Sequence, residues 1–333
     1  MKRLLTLGIV LAVLCGVAWG VGAILTQTAA QRWLDARAAE GWVAHASDIG
    51  VGGFPLRFVT EFEGVELADP ETGLAWSAPW FRFEQDALRL DRITAFWPDD
   101  QIISSPLERL TISGMTMQAE LDVQPANRFA LDGATWDMGP LSIQSTAGWQ
   151  TALEQGSLIV RRQGDSVSTY EMTVSANAMT PPEAWRDRLD PAGVLPVVIS
   201  LARADGVVTF DRPWDLDAIE QARPQITQID LEEVRAEWGD MLFRASGTLE
   251  VTPTGVPEGE LAVRAENWRA MLSLATNAGV VPERFEPTAE AMLNMLAGLS
   301  GQPENIDATL SFENGRIFLG PLPLGPAPNL RLR

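Results

Sequence analysis

Apolar and polar positions follow three different rhythms along this chain. From Leu4 to Leu25 the residues are apolar with little interruption beyond Thr6 and small glycines. At about 1.5 Å per residue this run predicts a helix of roughly 33 Å, matching the hydrocarbon core of a bilayer. Thr26 to Glu40 follows, rich in the helix formers Ala, Gln and Arg, with Gly41 as a stop. That stretch predicts a helical stalk continuing the membrane helix. After Gly41 the period changes to two. Leu56, Phe58, Thr60 and Phe62 alternate with Arg57, Val59, Glu61 and Glu63, and Met115, Met117, Ala119, Leu121 and Val123 alternate with polar partners. Both patterns predict strands with one buried face. Further strands are expected around 170–176, 249–251, 261–263 and 306–312. Turn chemistry at 69–73, Asp132-Gly133, 253–255 and Asn314-Gly315 separates them, the last being the strongest hairpin signal.

Four helices interrupt the alternation, over 181–189, 215–222, 267–278 and 287–299. In the third, Trp268, Met271, Leu272 and Ala275 recur at helical spacing after a capping-type Asn267. In the fourth, Ala291, Met292, Met295, Leu296 and Leu299 share a predicted apolar face. The fold class expected is mainly β with some α: a large twisted antiparallel sheet, an open groove or half-barrel, with a C-terminal helical pair and an N-terminal transmembrane helix. The organisation expected is an anchor over 1–25, a stalk over 26–40 and a body over 41–333. A division of the body near 180–196 is one reading, with the echo between Met138-Gly139-Pro140-Leu141 and Leu319-Gly320-Pro321-Leu322 in its favour.

Charge narrows the partners. The formal net charge is -19, from 44 acidic and 25 basic residues. No basic track exists to displace counterions, so nucleic acid is excluded as a partner. Lys2 is the only lysine, and codon bias explains that more simply than selection for the guanidinium fork. Lys2 and Arg3 before the apolar run favour a cytoplasmic N-terminus, which places the body across the membrane. A cleaved signal peptide is the rival, because Ala18-Trp19-Gly20 loosely resembles a small-x-small cleavage site. The apolar run is longer than a usual signal, and both readings export the body.

Candidate chemistry is scarce. Cys15 is the only cysteine and His45 the only histidine, which excludes disulfides, Cys/His zinc sites and histidine clusters. His45 and Asp48 supply no further catalytic geometry, and Asp215-Leu216-Asp217 reads as the capped start of a helix. No nucleophile elbow or phosphate-cradling loop occurs. No catalytic, cofactor or metal site is expected. The aromatic residues are the informative feature: Trp76, Trp80, Phe81, Phe83, Phe96 and Trp97 fall within a short stretch. They are core packing or the lining of an apolar groove for acyl chains.

The combination of the basic-then-apolar N-terminus, Gly52-Gly53-Phe54-Pro55-Leu56-Arg57 and the Asn314-to-Leu324 ending resembles the Gram-negative envelope family called domain of unknown function 2125. The helical pair before a Gly-containing hairpin is similar, more distantly, to the C-terminal part of AsmA-like proteins. These resemblances imply an inner-membrane protein with a periplasmic body that binds or transfers lipid or assists outer-membrane assembly. They supply no catalytic residues. The alternative is an interaction protein that recruits an envelope partner through its sheet edge or acidic face. Sequence leaves oligomeric state open.

Overall fold

The structure, a computed structural model, describes residues 2–220, 222–300, 302–320 and 322–332; the side chains of 2–12, 219–220, 299–300 and 322 lie outside that description. One helix, α1 (Lys2–Ala39), carries the apolar run and the stalk without a break. It stops where Gly41 turns to φ +92°. Its described part from Val13 to Ala39 is long and apolar enough to cross a membrane.

Among the described residues twenty strands follow: β1 (Val43–His45), β2 (Asp48–Gly52), β3 (Arg57–Ala68), β4 (Ala75–Asp86), β5 (Arg92–Phe96), β6 (Asp100–Ser104), β7 (Arg109–Gly114), β8 (Met117–Gln124), β9 (Ala130–Met138) and β10 (Leu141–Ser145) come first. The remainder are β11 (Gln150–Leu153), β12 (Gln155–Arg162), β13 (Thr169–Met179), β14 (Ile199–Phe210), β15 (Ile226–Trp238), β16 (Met241–Val251), β17 (Pro257–Glu266), β18 (Asn305–Glu313), β19 (Arg316–Leu319) and β20 (Leu322–Pro326). The fold is mainly β, one large antiparallel open sheet with an N-terminal apolar helix and C-terminal helices.

The chain divides into two compact units, Met1–Pro125 with Trp136–Gly148, and Ala126–Thr135 with Trp149–Arg333. In the first, β3 pairs along its length with β4, and shorter strands tile both sides. β2 and β1 share the outer side of β3, β5 and β6 share the far side of β4, and β8 and β7 continue beyond them. One face of β2 and β3 packs on α1, burying Ala23, Leu34, Ile49, Thr60 and Val65. The stalk is therefore not a free spacer. Its Gln27 side-chain amide donates to the Ile49 carbonyl at 2.6 Å, tying helix to sheet outside the ladder.

The second unit is a meander. Strands β12 to β20 pair in sequence order. Asn314 and Gly315, both at positive φ, make the expected hairpin turn between β18 and β19. Asp132-Gly133, expected as a turn, instead lies inside β9, where Asp132 accepts from Arg162 Nε at 2.7 Å. Gly247 stands beside a register shift between β15 and β16. A Cβ there would come 2.4 Å from the Glu260 carbonyl oxygen, so no other residue fits without a shift.

Short helices α2 (Glu183–Leu189) and α3 (Leu216–Glu220) fill connections, and Asp215 Oδ1 accepts the Ala218 N–H as the capping reading expects. The stretch 180–196, expected as a division, lies within this unit because it is tied in twice. Thr180 bridges Ala152, and Leu189 packs with Trp238 and Met241. Helices α4 (Trp268–Asn277) and α5 (Glu286–Ser300) pack on the sheet through Trp268, Leu272, Ala289, Leu293 and Ala297, over Ala265 and Ile306. The face of α5 differs from expectation. Ala291 and Met295 are exposed, Met292 and Leu296 are half-buried, and Leu299 lies outside the described side chains. Asn267 stands at the N-cap of α4 in a left-handed conformation, and its side chain makes no capping hydrogen bond.

Candidate functional site

Between α1 and the sheet of the first unit lies a cavity of about 500 Å³. One wall is a helix stripe, Thr26, Ala29, Ala30, Trp33 and Leu34, at the three-to-four-residue spacing of one helical face. The other is Phe62, Val65 and Leu67 of β3, Trp76, Phe81 and Phe83 of β4, and Trp97. No lining side chain carries a charge. The single hydroxyl, Thr26 Oγ1, already donates to the Gly22 carbonyl at 3.0 Å, and the Trp76 indole N–H donates to Gln101 Oε1 at 2.8 Å beneath the rings. The rings brace one another. Phe81 contacts Trp97 at 5.4 Å between centroids and stands edge-on to Trp76 at 5.9 Å, while Phe62 lies 5.9 Å from Phe83. Such pairs hold an aromatic wall in shape independently of any occupant.

Four of the six predicted aromatics, Trp76, Phe81, Phe83 and Trp97, meet here. Trp80 and Phe96 do not. They flank Arg82 on the opposite face, with the guanidinium 5.6 Å from the Trp80 ring and 4.9 Å from the Phe96 ring. That face is ionic: Arg82 reaches Glu84 at 3.5 Å, and Arg57 reaches Glu84 at 3.3 Å. The parting follows from a slip in alternation. The β3–β4 ladder runs from Glu63↔Trp80 to Val65↔Ala78 and skips Gly64 and Pro79, a residue with no N–H to give. Before the slip, even-numbered Phe62 faces the cavity; after it, odd-numbered Val65 and Leu67 do.

Sequence reasoning leaves Trp33 open between the lipid interface and the body, and the structure places it in the cavity wall; the small helix positions opposite the rings are the residues it missed. Their helical spacing is legible, but nothing in the sequence says which strands the stalk meets.

Other candidates offer less. His45 is exposed at the end of β1, and Asp48 is exposed at the start of β2. Among the described residues, no group of three or more His, Cys, Asp or Glu side chains is placed to hold a metal. A shallower concavity of about 720 Å³ lies on β15–β18 of the second unit. Arg203, Arg235, Arg244 and Arg264 stand opposite one another from β14 to β17. Each is answered by a carboxylate: Arg203 by Asp205 at 2.6 Å, Arg235 by Glu237 at 2.6 Å, Arg244 by Glu233 at 3.7 Å and Arg264 by Glu266 at 3.7 Å. Thr173 and Arg203 both donate to Asp205, and chiefly the Arg203 bond holds its carboxyl below the ordinary 3.8. This row is balanced charge on a sheet face.

A family model described as an uncharacterised protein conserved in bacteria, DUF2125, matches residues 19–328. The chain belongs to the DUF2125 family. The match spans both units of this DUF2125 protein and begins at Trp19, on the helix that forms one cavity wall. No curated protein and no solved structure matches it.

Proposed function

We propose that this DUF2125 protein is a single-pass membrane protein that shelters an acyl chain of a membrane lipid between α1 and the aromatic sheet, without catalysing a reaction. One observation carries this reading: an uncharged, ring-lined space of about 500 Å³ lies against the continuation of a helix apolar enough to cross a bilayer. Its volume falls in the range of small-molecule sites, about 300–1,000 Å³, and its walls offer apolar contact and no reactive group. Lys2 and Arg3 favour a cytoplasmic N-terminus and a periplasmic body in the inner membrane. Transfer of lipid or upkeep of the outer membrane is the wider role that the AsmA-like resemblance supports.

Because α1 supplies one wall, the test uses the full chain. Purified protein is reconstituted with a phospholipid carrying a diazirine on its acyl chain, then irradiated and mapped by peptide mass spectrometry. Cross-links are expected on peptides covering 26–34 and 76–83, and Trp76→Ala with Phe81→Ala should deplete them. Cross-links confined to residues 4–25 would reduce α1 to an anchor. One dominant protein partner captured in cells, with an empty cavity, would move the assignment to the interaction reading.

A further inference from the structure

Helix and sheet meet a second time, beyond the end of the cavity. The turn joining β2 to β3 is Gly53-Phe54-Pro55-Leu56, closed by the Arg57 N–H donating to the Gly53 carbonyl at 3.0 Å. Gly53 sits at φ +93°, and a Cβ there would come 2.8 Å from the Arg57 carbonyl oxygen, so the turn is tight and specific to glycine. The turn after β4 is bonded to it. The Ala87 N–H donates to the Leu56 carbonyl at 2.8 Å, and the Leu88 N–H donates to Asp86 Oδ1 at 2.8 Å. Together the two turns expose Phe54 (57%), Leu56 (61%), Leu88 (82%) and Leu90 (50%). Single exposed apolar residues need no explanation, but four on adjoining turns do.

Their level along α1 identifies what they meet. Trp19 stands edge-on to Phe54 at 5.4 Å, stacks on Phe58 at 5.9 Å, and donates its indole N–H to the Arg57 carbonyl at 2.8 Å. Gly22 leaves room for the Phe58 ring. Trp19 lies within the apolar run, roughly 9 Å along the helix before Leu25 at about 1.5 Å per residue. Val21, Ile24 and Leu25, farther along α1, are exposed and apolar as well, so a bilayer crossed by α1 reaches the level of Trp19, and turns docked at that level meet lipid. Tryptophan with a polar handle is the residue type that settles there. Arg57 and Arg89 are exposed beside the apolar side chains, each with one carboxylate partner, Glu84 and Asp91.

We propose that the turns at 53–56 and 87–90 are immersed in the lipid interface of the bilayer that α1 crosses. A bilayer is the occupant, and not a protein, because the patch adjoins helix residues Val13, Leu14, Val17 and Val21, which are themselves exposed and apolar. This inference rests on the anchor alone and is independent of any ligand in the cavity.

The test uses full-length protein with Cys15→Ser and single labels at Leu56→Cys, Leu88→Cys or Leu107→Cys. Leu107, at 94% exposure between β6 and β7, is the reference. Each carries an environment-sensitive dye in vesicles of phosphatidylethanolamine and phosphatidylglycerol doped with nitroxide lipid. Emission at 56 and 88 should be blue-shifted and quenched several-fold more than at 107. Equal, water-like emission at all three positions would overturn the proposal, and would do so whether or not the cavity holds lipid.

Discussion

Thr60 is fully buried against α1, and its hydroxyl has no hydrogen-bond partner among the described residues. An unpaired buried hydroxyl costs about 1–3 kcal/mol of desolvation, and the isosteric methyl removes that cost. Thr60→Val is expected to raise stability by about 1 kcal/mol in a urea titration of the purified protein. Asp205 carries the opposite sign. Its carboxyl is held below 3.8 in the folded state, so its contribution is complete above pH 3.8 and is lost as pH falls through the lowered value. Asp205→Asn also leaves Arg203, which stands opposite Arg235, without its carboxylate partner. The variant should lose about 1 kcal/mol near neutral pH, and the difference from the parent should shrink below pH 3.8. Chemical denaturation at several acid pH values reads both effects.

Helix α1 is held to the sheet by close fit. At Gly22 any Cβ would lie 2.6 Å from Phe58 Cζ, whereas at Gly20 a Cβ meets nothing within 4 Å. Gly22→Val should force Phe58 off Trp19 and cost about 1–3 kcal/mol, with Gly20→Val as the neutral control, both measured by thermal unfolding in detergent. Sequence revealed the element itself, because an apolar run of bilayer length is a one-dimensional signal. It revealed most strands for the same reason: alternation at Phe58–Phe62 and Ile306–Phe312 needs no tertiary knowledge, although Leu56, expected on the same buried face, is exposed in the turn before β3. The cavity was half legible. Six clustered aromatics pointed to the region, but the face each takes depends on the slip at Gly64 and Pro79, which assigns Trp76 and Phe81 to one side and Trp80 to the other. Asp132-Gly133 reads as a turn by composition and becomes strand because Arg162 bonds Asp132 across the ladder. The face of α5 was misplaced for a related cause, since Met295 is apolar in sequence but has no neighbour to bury it.

Charge separates along the chain as well as within the sheet. The two basic residues Lys2 and Arg3 stand before the apolar run, and a formal net charge of -19 describes the whole. Such asymmetry sets orientation through the short basic end, since acidic domains translocate largely regardless of charge. Replacing Lys2 and Arg3 with Glu should reduce the fraction inserted with the body on the far side, as read by reporter fusions after Arg333. An unchanged fraction would assign orientation to the helix and its docked turns.

The order of pairing in β12–β20 carries one last implication. Each strand finds its partner in the strand made just before it, so a partner is already present when each strand appears, although α2, α3 and the pair α4 and α5 intervene before β14, β15 and β18. A chain appearing N-terminus first can lay down this sheet as knitting is laid down, one row upon the last. At each moment only the newest row has a bare side, which limits the unpaired edge offered to other chains during synthesis. The last row is then stitched back: the Leu330 N–H donates to the Gly255 carbonyl at 2.7 Å, and Gln225 exchanges hydrogen bonds with the Leu332 backbone. The stretch 330–332 therefore acts as the cast-off that keeps the fabric from unravelling.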